Sequence, residues 1–470
     1  MSEVTTVDPS TGLPLATYPG ADVDAALTVL AAVHGAQPAW AARPVEERAS
    51  LVRAVGAQLR AQAGELAGLM TAEMGKPVGE ARAEVEKSAT ACDYYADNGP
   101  DFLAMRRVET GPARRSWVAH EPIGVVLAVM PWNFPFWQVL RFAAPTLLAG
   151  NTAILKHSPN VTGSALAIER VFRDAGLPED VFRSIVVAEA DVPEVSRALI
   201  EDDRIAAVSL TGSERAGAAV ASAAGRVIKK SLLELGGSDP FVVLDDADLD
   251  VAVAGAVKSR FINSGQSCLA AKRFVVQAGV AEEFSRRFAA AVADLRVGDP
   301  RDEATAIGPM ARSDLRDGLA RQVRDSVAAG ATVLTGGSPL DGPGAFFAPT
   351  VLTDVTLDMP VLCEETFGPV AAVVVVADDD EAVRVANTTR YGLGASVWSA
   401  DEDRALAVGR RITSGALFVN AVVASDPRLP FGGTKRSGYG RELGEPGALE
   451  FTNARTYVVG GGVPVGAATE

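Results

Sequence analysis

Cysteine and histidine are both scarce: three of each in 470 residues. Cys92, Cys268 and Cys363 lie too far apart in sequence to suggest a disulfide framework. No CxxC pair is present, so no metal site is expected. A reducing, cytoplasmic compartment fits that economy. Basic residues are in deficit, 44 against 59 acidic ones, for a net charge of −15. This argues against a nucleic-acid partner, which needs a basic patch or stripe, and gives no general attraction to anionic membranes. Every apolar stretch is broken by Pro, Gly or charge well before the roughly 18 residues of a membrane span. Met1-Ser2-Glu3-Val4 has neither the basic nor the apolar part of a signal peptide.

The length suits two or three domains. Residues 23–103 read mainly as helix, with charges at helical spacing in Ala-rich stretches. Residues 104–121, around Gly111-Pro112, change to an Arg/Val/Thr/Trp texture that predicts an extended hairpin, whose free edge would need a partner. A strand–helix alternation follows, with strands expected at 125–129, 152–156, 182–187, 205–210 and 231–235. Helices are expected at 136–149, where Pro145 would introduce a bend, at 162–175 and at 214–224. Continuous Val/Ile/Leu strands between helices imply a parallel α/β sheet, whose ligands bind at the carboxyl ends of the strands. A second α/β region runs over 237–431, with strands at 240–244, 272–276, 370–376 and 395–398. Strand character returns at 456–459, and 460–470 reads as loose.

Cys268 carries the most chemical information, in the Gly/Ser-rich run Asn263-Ser264-Gly265-Gln266-Ser267-Cys268. Upstream, Glu234 ends an apolar run in Leu233-Glu234-Leu235-Gly236-Gly237, a candidate base for a covalent aldehyde site. Taken alone, a turn cysteine reads more simply as a small hydrophobe, and Cys92 and Cys363 keep that reading. Thr211-Gly212-Ser213, with Gly217 behind it, joins a strand to a helix whose free N–H groups can face a pyrophosphate. A plain strand-to-helix turn explains the same residues. Met130-Pro131-Trp132-Asn133-Phe134-Pro135 is a proline-stiffened loop. There Asn133, with the Cys268 backbone N–H, could donate to an oxyanion, or simply form a turn. Lys156 at a strand end suits a ribose or phosphate oxygen. In Glu365-Thr366-Phe367-Gly368-Pro369, Glu365 suits ribose hydroxyls and Phe367 a nicotinamide face. Each has the alternative of an ordinary surface or loop residue.

Together PWNFP, TGSxxxG, LELGG, GQSC and EETFGP, in this order and across nearly the whole chain, resemble the aldehyde dehydrogenase superfamily. The resemblance implies an α/β fold with a Rossmann-type cofactor domain (1–103 and 123–235), an α/β catalytic domain (236–431) and a β oligomerisation arm (104–122 and 445–460). It also implies a homodimer or homotetramer. By motif, Cys268 is the nucleophile, Glu234 the general base and Asn133 the oxyanion donor. Trp132, Lys156, Ser158, Gly212, Ser213, Gly217, Glu365 and Phe367 are the residues expected around the dinucleotide. The position three after Lys156 is Pro159, where NAD-preferring relatives often carry glutamate. With no carboxylate there to repel a 2′-phosphate, and Lys156, His157 or Ser158 at hand, NADP is the expected preference and NAD the alternative.

Residues 137–141, 265–274 and 425–443 look like those of bacterial succinate-semialdehyde dehydrogenases. That resemblance implies a substrate with a distal carboxylate, for which Arg141 is the expected clamp, with an interdomain ion pair as its structural alternative, and Ser425 an added hydrogen bond. Many of those enzymes place a second arginine shortly before the nucleophile, where this chain has Ile262, with Arg260 nearby. Ala270 replaces the second cysteine that forms a redox switch in some relatives. A broad dehydrogenase of small aliphatic or aromatic aldehydes is the alternative activity. Glu234 disfavours acyl transfer to coenzyme A, and the complete Cys268, Glu234 and Asn133 set disfavours a merely structural protein.

Overall fold

The computed structural model describes residues 2–110 and 114–460. An antiparallel ribbon, β1 (Glu3–Val7) and β2 (Pro14–Pro19), precedes four helices: α1 (Val23–Ala41), α2 (Val45–Ala61), α3 (Ala63–Met74) and α4 (Val78–Phe102). Strands β3 (Arg106–Arg107) and β4 (Arg114–Pro122) pair antiparallel, as the hairpin reading requires. The Gly111-Pro112 turn lies outside the described residues.

The alternation then runs β5 (Val125–Met130), α5 (Trp137–Leu148), β6 (Thr152–His157), α6 (Thr162–Asp174), β7 (Phe182–Ile185), α7 (Val192–Glu201), β8 (Ile205–Thr211), α8 (Glu214–Arg226) and β9 (Lys230–Glu234). β5 and β6 are almost wholly buried; β5 accordingly reads as an unbroken apolar run, while β6 keeps Ala153-Ile154-Leu155 between Thr152 and the Lys156-His157 end. β5 lies between β6 and β8, and all three are parallel. Strand order therefore reverses there, opening a crevice at their carboxyl ends. The loops around Trp132, Ser158 and Ser213 leave from that edge.

The second sheet uses β10 (Asp239–Val243), α9 (Leu249–Phe261), β11 (Ala271–Gln277), α10 (Ala278–Ala293), α11 (Ser313–Ala328), β12 (Thr332–Thr335), β13 (Thr350–Thr353), α12 (Pro360–Cys363), β14 (Val370–Val376), α13 (Asp379–Asn387), β15 (Gly394–Trp398), α14 (Glu402–Gly409) and β16 (Ala416–Val419). Its order is β12-β13-β14-β11-β10-β15-β16. All neighbours are parallel except β12, which runs antiparallel to β13 at the edge. The short strands β12, β13 and β16 escape a pattern search because four residues carry too little periodicity. The chain closes with β17 (Gly438–Tyr439), α15 (Gly444–Leu449) and β18 (Thr452–Gly460).

β17 returns to the first sheet and pairs antiparallel with β9, so the sheet is not purely parallel. β18 starts earlier than its apolar tail suggests and pairs with the whole of β4, Thr452 opposite Pro122 through Gly460 opposite Arg114. Residues 445–449 are helical, not part of the strand. The expected loose segment 461–470 lies outside the described residues. Separate apolar clusters cover both faces of each sheet, giving two layered bodies. Glu234 ends a strand of the first sheet, and Cys268 lies three residues before a strand of the second.

Candidate active site

The thiol loop holds an unfavourable backbone. Asn263 and Ser264 both have φ of 53°, and Gly265 follows at 75°. Two successive non-glycine residues in the left-handed region persist only when surrounding contacts fix them. Here they do: Asn263 Nδ2 donates to the Asn133 carbonyl at 2.7 Å, and its backbone N–H to Glu80 at 2.6 Å. Ser264 Oγ accepts from Gly308 N at 3.0 Å. Lys272, fully buried, donates to the carbonyls of Ser267 (3.0 Å) and Cys268 (2.9 Å). A Cβ on Gly265 would lie 2.3 Å from the Gly368 carbonyl oxygen. Gly265→Ala is therefore expected to lose about 3 kcal/mol through overpacking and left-handed strain, read as a lowered melting temperature with reduced turnover.

Burial pushes the Cys268 thiol up to about 11, against the opposing pull of Arg141 and Lys272. At neutral pH it rests as a thiol and needs a proton acceptor to act. The buried Asn133 lies against the same loop: its Nδ2 donates to the Gln266 carbonyl at 3.1 Å, and its Oδ1 accepts from Gln138 at 3.0 Å. Its amide is thus oriented toward the thiol segment and keeps a second N–H. Behind it, Glu84 accepts from the N–H groups of Phe136 (2.9 Å) and Trp137 (3.0 Å), capping the start of α5. The fully buried Lys76 neutralises Glu84.

Glu234 is buried at the end of β9, and neither carboxylate oxygen has a hydrogen-bond partner among the described residues. Burial first, and then the neighbouring Glu442, push its pKa well above the usual carboxylate range, while Arg141 and Arg441 oppose the shift. Glu442 is raised too, chiefly by burial. Arg141 joins this pair: its Nε lies 2.5 Å from Glu442, a terminal nitrogen donates to Thr211 at 3.1 Å, and its guanidinium stacks on Phe431. Arg141 is thus ion-paired, with Glu442 as its partner. The same residue also lines a cavity of about 810 Å³ that contains Cys268, Phe134, Trp137 and Ser425.

Glu234 and Asn133 are not among the residues that line this cavity. Ile262 occupies its wall and Arg260 does not. Arg260 lies on helix α9, not on a strand, and is spent internally, donating to the carbonyls of Ala271 and Gly265 at 3.1 Å each.

A second cavity, about 860 Å³, opens at the carboxyl edge of β5, β6 and β8 and brings together Trp132, Lys156, Ser158, Gly212 and Ser213. Its donor set suits an anionic dinucleotide: Lys156, Arg197, Arg215, Arg226 and Arg312 face one carboxylate, Glu189. Burial lowers Lys156 to about 8, leaving it mostly charged at neutral pH. Ser213 caps α8 by accepting from Ala216 N, so it orients the helix amides.

Three expected cofactor residues fall outside this cavity. Gly217 lies where a Cβ would meet Leu235 at 2.6 Å, so helix–strand packing requires it. Glu365 sits by the thiol loop, accepting from Gly237 N at 3.1 Å and pairing with Lys272 at 3.5 Å. Phe367 reaches the groove only through Trp132, edge-on at 5.7 Å. His157 does not bind there either. Its Nε2 lies 3.0 Å from the Pro135 carbonyl, Nδ1 accepts from Ser158 N, and burial lowers its pKa to about 4. A neutral imidazole fastening the Pro131–Pro135 loop is no phosphate ligand.

Sequence reading missed the roles of Lys76, Glu84, Lys272 and Glu442. Each is a buried charge in an otherwise ordinary segment, and only Lys272 stood close enough to Cys268 to be noticed.

The aldehyde dehydrogenase family pattern matches residues 1–457. The chain is 47% identical over 452 residues to the Escherichia coli succinate semialdehyde dehydrogenase Sad, covering 96% of each chain. It is 51% identical over 413 residues to a probable NADP(+) succinate-semialdehyde dehydrogenase of Synechocystis, covering 88% of this chain and 90% of that one. The crystal structure of Streptococcus pyogenes succinic semialdehyde dehydrogenase in complex with NADP+ superposes with a TM-score of 0.93 at 36% identity, over 97% of this chain and all of the other. A family pattern that spans nearly the whole chain, and identities of 47% and 51% to these relatives, mean that this chain belongs to the aldehyde dehydrogenase family.

Proposed function

We propose that this protein oxidises succinate semialdehyde to succinate, with NADP as preferred acceptor and NAD as the alternative. The observation that carries this reading is a single cavity holding the Cys268 thiol together with cationic and hydroxyl side chains, Lys87, Arg141 and Ser425 among them, a nucleophile in a pocket suited to an aldehyde with a distal carboxylate. The near full-length relatives named for this activity support it. A bound dinucleotide would supply the hydride acceptor.

The chain's own residues do the rest. Cys268 gives its proton to water, and the thiolate attacks the aldehyde carbon, forming a thiohemiacetal. Asn133 and the Cys268 backbone N–H hold the oxyanion. Once oxidation has left a thioester on the sulfur, Glu234 takes a proton from water, and hydroxide releases the acid and restores the thiol. Lys156, Ser158, Trp132 and the amides of Gly212 and Ser213 would hold the dinucleotide, with Phe367 and Glu365 as further contacts. The protein works as a cytoplasmic homodimer or homotetramer, assembled through the β3–β4–β18 sheet. The half-exposed Val458 (54%) on β18 supports that placement. Among the described residues no helix is long and apolar enough to cross a membrane.

The broader reading, small aliphatic or aromatic aldehydes, draws on one observation: Phe134, Trp137, Leu269 and Val422 make much of the wall apolar. The deciding experiment is reduction of NADP and NAD with succinate semialdehyde beside butyraldehyde and benzaldehyde. The expected result is a kcat/KM at least about tenfold higher for succinate semialdehyde, the value of one charge-assisted contact. Equal values would establish the broader activity.

A further inference from the structure

We propose that Lys87, on α4, is a specificity-determining residue that binds the distal carboxylate of the substrate, with Ser425 as its oriented partner. The inference rests on the succinate semialdehyde reading. Three other cations stand near the cavity, and each is less suited. Arg141 is already paired with Glu442. Arg260 is turned into the backbone. Lys258 lies exposed at the mouth with Asp250, where water screens it.

Lys87 is half-buried in the wall and makes no ion pair among the described residues. Its position is nonetheless fixed. Nζ donates to Ser425 Oγ at 2.8 Å and sits 4.3 Å from the centre of the Trp137 ring. One of its three N–H groups is used, so two remain for a carboxylate. Accepting from Lys87 leaves the Ser425 hydroxyl free to donate to the same anion. Cys268 and Lys87 line the same cavity, so one substrate can engage both.

The charged and titratable groups around Lys87 are Glu84 on its own helix, Arg141 on α5, Asp426 beside Ser425, and Cys268. Burial, with Arg141 next, lowers Lys87 to about 8. Asp426, held at about 2 mainly by Arg428, stays ionised throughout. Lys87 is thus charged at neutral pH and loses that charge above about pH 8.

The test compares wild type, Lys87→Met and Lys87→Arg in NADP-coupled assays with succinate semialdehyde and butyraldehyde, which has the same carbon count and no carboxylate. Lys87→Met is expected to raise KM for succinate semialdehyde by about 10- to 100-fold. KM for butyraldehyde should stay within about twofold, and Lys87→Arg should restore part of the loss. If wild type prefers succinate semialdehyde and Lys87→Met keeps its KM, the Lys87 assignment is wrong while the substrate reading stands. If wild type shows no preference, the substrate reading fails and carries the assignment down with it.

Butyraldehyde turnover reports whether the variant has folded. Should it not fold, wild type alone decides: KM for succinate semialdehyde must climb between pH 7.5 and about pH 9.5 while that for butyraldehyde stays level. Two level profiles would overturn the proposal.

Discussion

Cys268→Ala abolishes aldehyde-dependent NADPH formation altogether, whereas Glu234→Gln keeps one rapid equivalent per active site and loses the turnovers that follow. This is the largest expected effect, and it separates the two halves of the proposed reaction. Without the sulfur no thiohemiacetal forms, and neither burst nor steady state survives. With glutamine at 234 the sulfur can still be acylated, but no carboxylate takes the water proton, and steady-state kcat falls about 10³-fold. Stopped-flow absorbance of NADPH distinguishes the outcomes. A Glu234→Gln variant with neither burst nor turnover would move Glu234 to the first step, as the base that activates the thiol.

The same groups set the direction of the pH profile. Glu234 is raised by burial and by Glu442, and Cys268 by burial. Both act in their deprotonated forms, so kcat/KM for a neutral aldehyde is expected to rise from pH 7 toward pH 10.

Arg141→Ala is expected to destabilise the protein by about 3–5 kcal/mol, because it strips a buried carboxylate of its countercharge. Arg141 is the cation paired with Glu442, and it also opposes the upward shift of Glu234. Its loss leaves two buried acids facing each other, both driven further toward the neutral form. Turnover of neutral aldehydes should therefore fall along with that of succinate semialdehyde, which makes Arg141 a poor residue from which to read substrate choice. Adding Glu442→Gln removes the orphaned charge and should recover part of the melting temperature. Comparing thermal unfolding of Arg141→Ala, Glu442→Gln and the double variant measures the coupling. Simple additivity would mean that the pair contributes little.

The sequence alone determined the alternation of buried strands and helices, the crevice edge and the strained turn that carries Cys268. Each is written locally. β5 is a continuous apolar run because both of its faces are covered. Trp132, Lys156, Ser158, Gly212 and Ser213 sit at strand ends that open on one groove. The Gly265–Cys268 turn needs glycine where the chain passes the Gly368 carbonyl.

What only the tertiary structure decided is how the charges are spent. Arg141 lies 301 residues in sequence from Glu442, and Lys87 lies 338 from Ser425. No local pattern records such pairings. Whether a buried cation is free to meet a substrate or already neutralised depends on which distant segments fold against it. His157 and Gly217 show the same limit. Both stand in motifs that suggest cofactor contact, yet one fastens a loop through Pro135 and the other admits Leu235. Strand and helix follow from backbone periodicity and burial, which neighbours in sequence impose. The electrostatics of the site follow from contacts across the fold, where desolvation makes the identity of each partner decisive.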